Sequence, residues 1–532
     1  MNPYLIGIVI SIALYIAVSA FISRRIKTAN DFYVAGRQAP TLLITGSLIA
    51  SFLGTGAYTG DLAEAFDGGF APILIICGVL VAGYILGGVL FGRYLRRSEV
   101  YTIPEFFGRR FCSRPIHILS TVVAIISMSV YLLSCIQGIA TVMEQVTGVD
   151  YERCIIIAMC AFSLITILAG SKGVLITDTI MFLFFTVITV VCVIVIAKSS
   201  GGWFATIERL AQSEETRGIL SWGGSPDYYY GSGVENTIWA VISGVSWLGV
   251  TMVGPWQASR YLMAKNEQVV IRSTVGASAA VFLVQFLVLI SGVFIRSVNP
   301  ELTSSSKAVI WASQNMMPTL LGVLLLTGII AAGTSSATTF LSLIGTSVTN
   351  DILKIKDSKK SILSSRIIIV CVSVIITLVA VWNPPQIFWI MQFGTTVVAA
   401  AYLPVAIASV WDRSVTKKGA FFGMLTGFCV NFILKIYTLT TGVKLPVYFD
   451  PFLAAIVLNI IVLKAVSYFD GNITQAEIRQ REKLFEVPEN ETDIKALVKT
   501  KKILYVGIAS GAIITVSLIV LWVIPYYIGS SK

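Results

Sequence analysis

Long apolar runs separated by short polar connections dominate the chain. Runs of about 20 residues, long enough to cross about 30 Å of hydrocarbon, occur fourteen times and are numbered as spans 1 to 14 in chain order. They cover residues 4–23, 41–65, 70–92, 117–146, 154–170, 173–197, 236–257, 272–297, 318–349, 364–382, 386–411, 418–437, 450–467 and 503–527. This pattern predicts an all-α polytopic membrane protein with about 14 transmembrane helices.

The distribution of basic residues predicts how these spans are oriented. The connections that follow the odd-numbered spans, with the adjoining span ends, hold 30 of the 39 Lys and Arg residues. Because cytoplasmic connections carry the excess of Lys and Arg, these connections are predicted to lie in the cytoplasm. Both termini are then predicted to lie outside. The protein is expected in the plasma membrane, which in a bacterium is the cytoplasmic membrane.

Composition and motifs exclude several functional classes. Only 13% of the 532 residues are charged, about half the share typical of soluble proteins. The net charge of +11 is scattered between apolar runs, so no nucleic-acid partner is predicted; the expected partner is the lipid bilayer. A single histidine, His117, excludes a multi-histidine metal site, and no phosphate-binding G-x-x-x-x-G-K-[ST] loop occurs. With no metal or nucleophile constellation in sight, the protein is not expected to be an enzyme, and no cofactor is predicted.

Two spans contain small residues where a plain membrane anchor would be uniform. Span 2 has Gly54 and Gly56 at mid-depth, and span 7 has Ser243, Gly244 and Gly249 before a Gly-Pro pair. Small residues also allow close helix packing, so that interpretation stays open. Spans 2–6 and 7–11, however, form two blocks of five that each begin with such a span. Interrupted helices at matching positions of an inverted repeat indicate a central transport site.

This repeat divides the chain into five predicted regions. The first helix and a cytoplasmic linker occupy residues 1–40, and the first five-helix repeat occupies 41–200. An extracellular loop follows at 201–235, and the inverted second repeat occupies 236–411. Residues 412–532 form three C-terminal helices with a cytoplasmic segment at 470–502.

Span 9 contains five hydroxyl side chains within six residues near the predicted bilayer centre. They lie in the sequence Ala331-Ala332-Gly333-Thr334-Ser335-Ser336-Ala337-Thr338-Thr339. Ser335, Thr338 and Thr339 are three and four residues apart and share one helical face. Neutral oxygens suit a weakly held hard cation such as Na⁺, whereas Ca²⁺ calls for several carboxylates. Hydrogen bonds from these hydroxyls to the preceding helical turn are the alternative.

Acidic residues in or near the spans fall into two groups. Asp178 lies just inside span 6, where a buried acid is expensive and marks a functional site; a solvated helix end near Lys172 is the alternative. Asp61, Glu64 and Asp67 at the outer end of span 2 are expected to be solvated rim charges.

Several motifs in register resemble the sodium:solute symporter family, which includes sodium/proline, sodium/pantothenate and sodium/galactose carriers. They are Tyr33-Val34-Ala35-Gly36-Arg37, the glycines of span 2, Thr177-Asp178, Gln257-Ala258-Ser259-Arg260-Tyr261-Leu262-Met263-Ala264-Lys265 and Thr349-Asn350-Asp351. The resemblance implies a five-plus-five inverted-repeat core of the amino-acid-transporter type, with Na⁺ as the coupling ion.

The resemblance also implies two sets of sodium ligands. A site between spans 2 and 9 would use the carbonyls of Ala50, Leu53 and Ala332 with the hydroxyls of Ser335 and Ser336. A second sodium, known in some members, would be bound by Asp178, Thr338 and Thr339 together with Ser335.

The solute is less constrained by the sequence. Span 3 is apolar at residues 73–76, where sugar carriers of the family place polar ligands, so a sugar is disfavoured. Span 4 has no Arg to hold a carboxylate, but N–H groups freed at the helix breaks could hold one. An amino acid or small carboxylate is therefore favoured over a sugar. The candidate solute contacts are Phe52, Gly54, Gly56, Tyr131, Trp247 and Gln392.

The sequence thus predicts a secondary active transporter that couples inward Na⁺ movement to uptake of a small organic solute by alternating access. The alternative is a membrane sensor or channel on the same scaffold. A sensor is expected to carry a soluble output domain, and none is evident in the cytoplasmic segment 470–502.

Overall fold

The computed structural model describes residues 2–23, 28–355, 357–382, 387–488 and 494–532. Part of the predicted linker, residues 24–27, and the first residue of span 11 lie outside the described residues. Most of the described residues are helical, and their β-structure is limited to one isolated bridge between Ala39 and Ala264. The all-α prediction is confirmed.

The helices of the predicted spans follow one another with short connections. In chain order they are Pro3–Ser23, Thr41–Ala50, Ala57–Asp61 with Leu62–Glu64, Phe70–Leu86, Arg114–Thr147, Tyr151–Ser199, Gly233–Val253, Pro255–Met263, Glu267–Val298, Thr319–Ser347, Ser358–Trp382, Ile387–Trp411, Lys417–Thr441, Pro451–Asp470 and Ile494–Leu518. Shorter helices lie between them at Ala29–Val34, Arg93–Arg97, Ile103–Arg110, Trp203–Gln212, Glu214–Arg217, Ala308–Asn315, Gln475–Lys483 and Ile524–Ser531.

Thirteen segments of the described chain are long and apolar enough to cross a membrane. The difference from fourteen arises at span 2, whose inner half Thr41–Ala50 is too short and whose outer half continues into span 3 within Ala57–Arg97. A left-handed residue at Gly68, with φ of 101°, separates these two spans. The count of fourteen stays a prediction.

Spans 5 and 6 form one helical stretch, Tyr151–Ser199, which is interrupted only at Gly170. Gly170 has φ of 51° and ψ of −168°, a conformation open to glycine because it lacks a Cβ. A Cβ at this position would lie 2.6 Å from the ring of Phe32. The turn between the two spans therefore depends on glycine for both its backbone and its packing.

The helix packing has the symmetry of an inverted repeat. Span 3 packs on span 7, and span 2 packs on span 8; span 6 packs on span 9, and span 4 packs on span 11. An inverted repeat relates each span of the first block to the span five places later in the chain. Under this exchange the contact of spans 3 and 7 becomes the contact of spans 8 and 2. The contact of spans 6 and 9 likewise becomes the contact of spans 11 and 4. The core is therefore the five-plus-five arrangement that the sequence predicts.

Both termini lie on the face that carries the loop at 201–235. Trp522 Nε1 donates to the carbonyl of Leu220 at 3.2 Å, and Asn2 Nδ2 donates to the carbonyl of Val146 at the end of span 4. The opposite face is rich in arginine contacts, such as the buried ion pair of 2.5 Å between Arg97 and Glu267. Assignment of the termini to the outside rests on this charge difference and stays a prediction.

Chemical labelling tests the orientation with two exposed positions on opposite faces. Cys112 is exposed on the arginine-rich face, and Ser213 is exposed in the loop at 201–235. In a variant without other cysteines, a membrane-impermeant maleimide added to intact cells is expected to modify Ser213→Cys. Native Cys112, as the sole cysteine, is expected to react only after the membrane is opened. Modification of Cys112 in intact cells would contradict the predicted orientation.

Candidate functional site

The helix of span 2 is broken at mid-depth. Gly54 N donates to the carbonyl of Phe52 at 2.8 Å, so it does not make the helical bond to Ala50. Ala57 N donates to the carbonyl of Gly54 at 3.2 Å, so the carbonyl of Leu53 also loses its helical partner. The break therefore frees the two carbonyls that the resemblance implies as sodium ligands.

Span 9 faces this break with a free hydroxyl. Ser336 is buried, and its Oγ has no hydrogen-bond partner. A Cβ built on Gly54 would lie 2.8 Å from Ser336 Oγ and 4.0 Å from the carbonyl oxygen of Ala332. Four of the five implied ligands, Ser335 excepted, therefore surround the break. A buried hydroxyl without a hydrogen-bond partner is costly, so Ser336 Oγ is a candidate ligand for a bound cation.

The Thr55 hydroxyl is a further free oxygen at the same place. It is fully buried and has no partner. Span 9 approaches it so closely at Gly333 that a Cβ there would lie 1.9 Å from Thr55 Oγ1. Sequence analysis missed Thr55, because a threonine between two glycines gives no signal of what faces it.

Asp178 lies at the centre of a second polar cluster. Its carboxylate is fully buried and accepts hydrogen bonds from Ser335 Oγ and, at 2.5 Å, from Ser47 Oγ. Arg260 forms an ion pair with it at 3.2 Å and donates to Thr339 Oγ1 at 2.8 Å. Asp178 is therefore not a solvated helix end, and Ser335, an implied ligand of the first sodium, belongs to the Asp178 cluster.

Three members of the implied second ligand set, Asp178, Ser335 and Thr339, are thus brought together, with Arg260 beside them. The Thr338 hydroxyl instead donates to the carbonyl of Ser335 in its own helix at 3.0 Å, as the alternative interpretation expects. Sequence analysis assigned no role to Ser47 or Arg260. The sequence carries no signal of the ion pair, because Asp178 and Arg260 lie 82 positions apart.

Arg260 is positioned by a break in span 7. The helix Gly233–Val253 ends at Gly254, whose ψ is 138°, and Pro255 begins a new helix that ends at Met263. Of the residues expected to interrupt span 7, the pair Gly254-Pro255 forms the break, whereas Ser243, Gly244 and Gly249 lie within a continuous helix. Gly244 faces Val79 there, where a Cβ would approach to 2.7 Å, so close packing explains this residue.

Aromatic side chains pack together beside the break. The ring of Trp247 lies edge-on to Phe52 at 5.4 Å and to Tyr131 at 6.2 Å between centroids. Trp247 Nε1 donates to Gln392 Oε1 at 2.7 Å. These four predicted solute contacts are buried, and they meet at one place.

The two glycines of the predicted solute site belong to the break itself. Gly56 approaches span 11, where a Cβ would lie 2.7 Å from Met391 Sδ. Together with the burial of the aromatic residues, this close approach leaves little of the region exposed to solvent.

Asp61 differs from its expected position. It is buried, and its Oδ2 accepts a hydrogen bond of 2.6 Å from Gln285 Nε2 on span 8. Glu64 accepts from the hydroxyl of Tyr228 at 2.8 Å, whereas Asp67 is exposed. The prediction of a solvated rim charge is therefore wrong for Asp61, because span 8 covers it, and correct for Asp67.

Comparison with known protein families agrees with this geometry. The model of the sodium:solute symporter family matches residues 32–427. The chain belongs to the sodium:solute symporter family. The predicted membership is confirmed, and it makes the chain a multi-pass membrane protein of a family of transporters, with Na⁺ as the coupling ion and a solute as cargo.

Curated relatives extend over most of the chain at low identity. The sodium/pantothenate symporter of Escherichia coli strain K12 is 21% identical over 479 residues, covering 88% of this chain and 96% of that protein. The sodium/glucose cotransporter of Vibrio parahaemolyticus is 23% identical and covers 81% of this chain and 84% of that protein. The E. coli sodium/proline symporter is also 23% identical, with coverages of 82% and 88%.

Solved structures share the fold of this family member. A substrate-bound, outward-open Na⁺-coupled sialic acid symporter superposes with a TM-score of 0.73 at 16% identity, covering 88% of this chain and 98% of that one. Mhp1, a nucleobase-cation-symport-1 family transporter, has a TM-score of 0.54 at 12% identity, with coverages of 85% and 98%. These likenesses confirm the predicted transporter fold.

Removing the free hydroxyl of Ser336 is expected to weaken the response to Na⁺. Loss of one cation ligand costs on the order of 1.5 kcal/mol, so Ser336→Ala is expected to raise the half-saturating Na⁺ concentration about tenfold. The measurement is thermal unfolding of the purified protein at increasing Na⁺, with choline as the balancing cation. Thr346→Val is the control, because its hydroxyl bonds the carbonyl of Ser342 within its own helix. Equal Na⁺ responses in the two variants would contradict the site.

Filling the contact between spans 2 and 9 is expected to disrupt the site. In Gly333→Ala the new methyl would lie 1.9 Å from Thr55 Oγ1 and 2.5 Å from Ile139 Cδ1. Such overpacking costs about 1–3 kcal/mol, so both thermal stability and the Na⁺ response are expected to fall. Gly511→Ala is the control, since nothing lies within 4 Å of its new methyl. Wild-type behaviour of Gly333→Ala would contradict the described packing.

Proposed function

We propose that this protein takes up a small organic solute, an amino acid or small carboxylate rather than a sugar, together with Na⁺. The observation that supports this proposal best is the break in span 2. There, the released carbonyls of Ala50 and Leu53 face the free hydroxyl of Ser336. The buried side chains of Phe52, Tyr131, Trp247 and Gln392 lie beside them.

Na⁺ suits the oxygens at the break. The proposed ligands are the carbonyls of Ala50, Leu53 and Ala332 with the hydroxyls of Ser335 and Ser336, all of them neutral. The C-terminal end of the helix Thr41–Ala50 adds partial negative charge from its unpaired carbonyls. This arrangement attracts a single positive charge without holding it too tightly for release.

The chemistry of the pocket favours a solute with one anionic end and an apolar body. Residues 55 and 56 open the outer half of span 2, ahead of its first hydrogen bond from residue 57. Their N–H groups lie at the positive end of a half-helix, which favours a carboxylate. Phe52, Tyr131 and Trp247 offer ring surface for the body of the solute.

The predicted solute contacts suit a sugar poorly. Gln392, the amide in the group of predicted contacts, already accepts from Trp247 and donates to Ser246 Oγ at 3.5 Å. Span 3, which packs on span 7, is buried and apolar at Ile73, Leu74 and Ile76. Few side-chain groups therefore remain to bind several hydroxyls. The names of the relatives include both sugars and carboxylate solutes, so the pocket, not the family, carries this choice.

Alternating access would operate around the two breaks. The inner half-helix Thr41–Ala50 ends at the break of span 2, and the inner half-helix Pro255–Met263 begins at the break of span 7. Movement of these halves opens the closed site to the cytoplasm, the expected destination in a bacterial cell. The driving force is about 2.3 kcal/mol per charge for each 100 mV, and about 1.4 kcal/mol for each tenfold Na⁺ gradient.

Electrical recording from proteoliposomes tests the proposal. Solid-supported-membrane currents are recorded while amino acids, short carboxylates, pantothenate, sugars, polyols and halides are added in Na⁺ and then in K⁺. A transient current that requires Na⁺ is expected for an amino acid or a carboxylate. A response to sugars alone would contradict the proposed solute class. Steady current without added solute would favour a channel, and Na⁺ binding without any transient across the panel would favour a sensor.

A further inference from the structure

The outer half of span 2 buries a carboxylate that no basic group balances. Asp61 is only 7% exposed and lies beyond the break, at the end of the helical segment Ala57–Asp61. Among the described residues it forms no ion pair, and no basic side chain acts on it. The buried Asp178, by contrast, is paired with Arg260. A buried charge without a counter-charge is strongly unfavourable at membrane depth and indicates a functional role.

Two oxygens of the contact between Asp61 and Gln285 lack a donor. Gln285 Nε2 on span 8 donates to Asp61 Oδ2 at 2.6 Å, whereas Gln285 Oε1 is buried and has no hydrogen-bond partner. No described residue donates to the other carboxylate oxygen, Oδ1. A protonated carboxyl could also donate its O–H to Gln285 Oε1, but that second bond is not formed. Both unmet groups are acceptors, so they call for a ligand that donates hydrogen bonds.

The carboxylate of Asp61 lies close to one of the predicted solute contacts. It acts electrostatically on the hydroxyl of Tyr131 on span 4 and on the thiol of Cys77 on span 3. The ring of Tyr131 packs against Trp247 beside the break, and its hydroxyl has no hydrogen-bond partner among the described residues. A solute that contacts these two rings therefore comes near the carboxylate.

We propose that Asp61 binds an ammonium group of the solute, so that the solute is an amino acid and not a carboxylate without a cationic nitrogen. This inference rests on the proposed function and narrows its solute class. An ammonium carries one positive charge and three N–H donors. These match the free oxygens of Asp61 and Gln285 and the hydroxyl of Tyr131. The charge of Asp61 is then balanced only while the solute is bound.

The two ends of an amino acid meet complementary groups in this arrangement. Its carboxylate is placed at the N–H groups that open the outer half of span 2, at the positive end of that half-helix. Its ammonium is placed further out, at Asp61. A metal ion suits the outer place less well, because hard cations gather about six oxygen ligands and the side chains there offer three.

Matched pairs of solutes test this proposal by thermal unfolding of the full chain in lipid nanodiscs, in Na⁺ and again in choline. Each pair holds an amino acid and the corresponding carboxylate without the cationic nitrogen. Examples are leucine with isocaproate, proline with cyclopentanecarboxylate, and γ-aminobutyrate with butyrate; the other coded amino acids are paired in the same way. In wild type, Na⁺-dependent stabilisation is expected only from members that carry the nitrogen cation.

Asp61→Asn removes the charge and keeps the shape of the side chain. It is expected to weaken binding of the stabilising amino acid about a hundredfold, because loss of one partner of a buried charge pair is costly. Its response to Na⁺ without solute is expected to equal that of wild type. Asp67→Asn is the matched control, since it removes an exposed carboxylate at the outer end of the same span, and it is expected to leave both responses unchanged.

Three results would overturn the proposal. The first is a wild-type protein that is stabilised equally by both members of a pair. The second is a wild-type protein that responds to no ammonium-bearing member. The third is an Asp61→Asn protein that keeps the wild-type response to the amino acid, as expected of a carboxylate that only takes up a proton. If Asp61→Asn does not fold, the matched pairs in wild type decide alone.

The same panel distinguishes failure of this inference from failure of the proposed function. An equal, Na⁺-dependent response to an amino acid and to its matched carboxylate rejects the role of Asp61 and leaves Na⁺-coupled uptake of a carboxylate in place. A response to sugars, with none to any pair, rejects the proposed solute class and this inference together.

Discussion

The structure depends on one constraint: inside a bilayer, every backbone polar group must find a partner within the protein. Span 2 departs from this rule, because its break leaves the carbonyls of Ala50 and Leu53 without helical partners. Span 9 presents the unbonded Ser336 hydroxyl to the same place. In the function that we propose, a cation that joins these groups would stabilise them together. The unmet hydrogen-bonding capacity of the fold would then be the source of its affinity for Na⁺.

A second constraint governs charge. The described spans bury a carboxylate at Asp178, and the fold compensates it with Arg260, delivered by the helix that follows the break in span 7. The two breaks therefore serve different purposes. One releases backbone oxygens, where we propose that a mobile cation binds, and the other brings in the fixed positive charge of Arg260. Through Ser335, which bonds Asp178 and follows the break-facing Ala332 by one turn, the two polar groups lie on the same helix.

Much of this arrangement is predictable from the sequence, because apolar length and the spacing of small residues carry it. Gly54 and Gly56 correctly predict the break in span 2, because glycine has a low intrinsic preference for the helical conformation. The same reasoning predicts the break in span 7 through Gly254-Pro255. It does not explain Gly244, which is small because span 3 packs closely against it at Val79. The role of Arg260 was not predictable, since its partner Asp178 lies 82 positions away and meets it only through the fold.

Hydrogen–deuterium exchange of the backbone around residues 50–57 tests the central claim most directly, because it observes the break itself. The purified protein in nanodiscs is compared in Na⁺ and in K⁺ at equal ionic strength, without solute. The account predicts that Na⁺ slows exchange in peptides that cover this break and residues 332–336, while peptides from Lys417–Thr441 stay unchanged. Identical exchange at the break in the two cations would contradict the account.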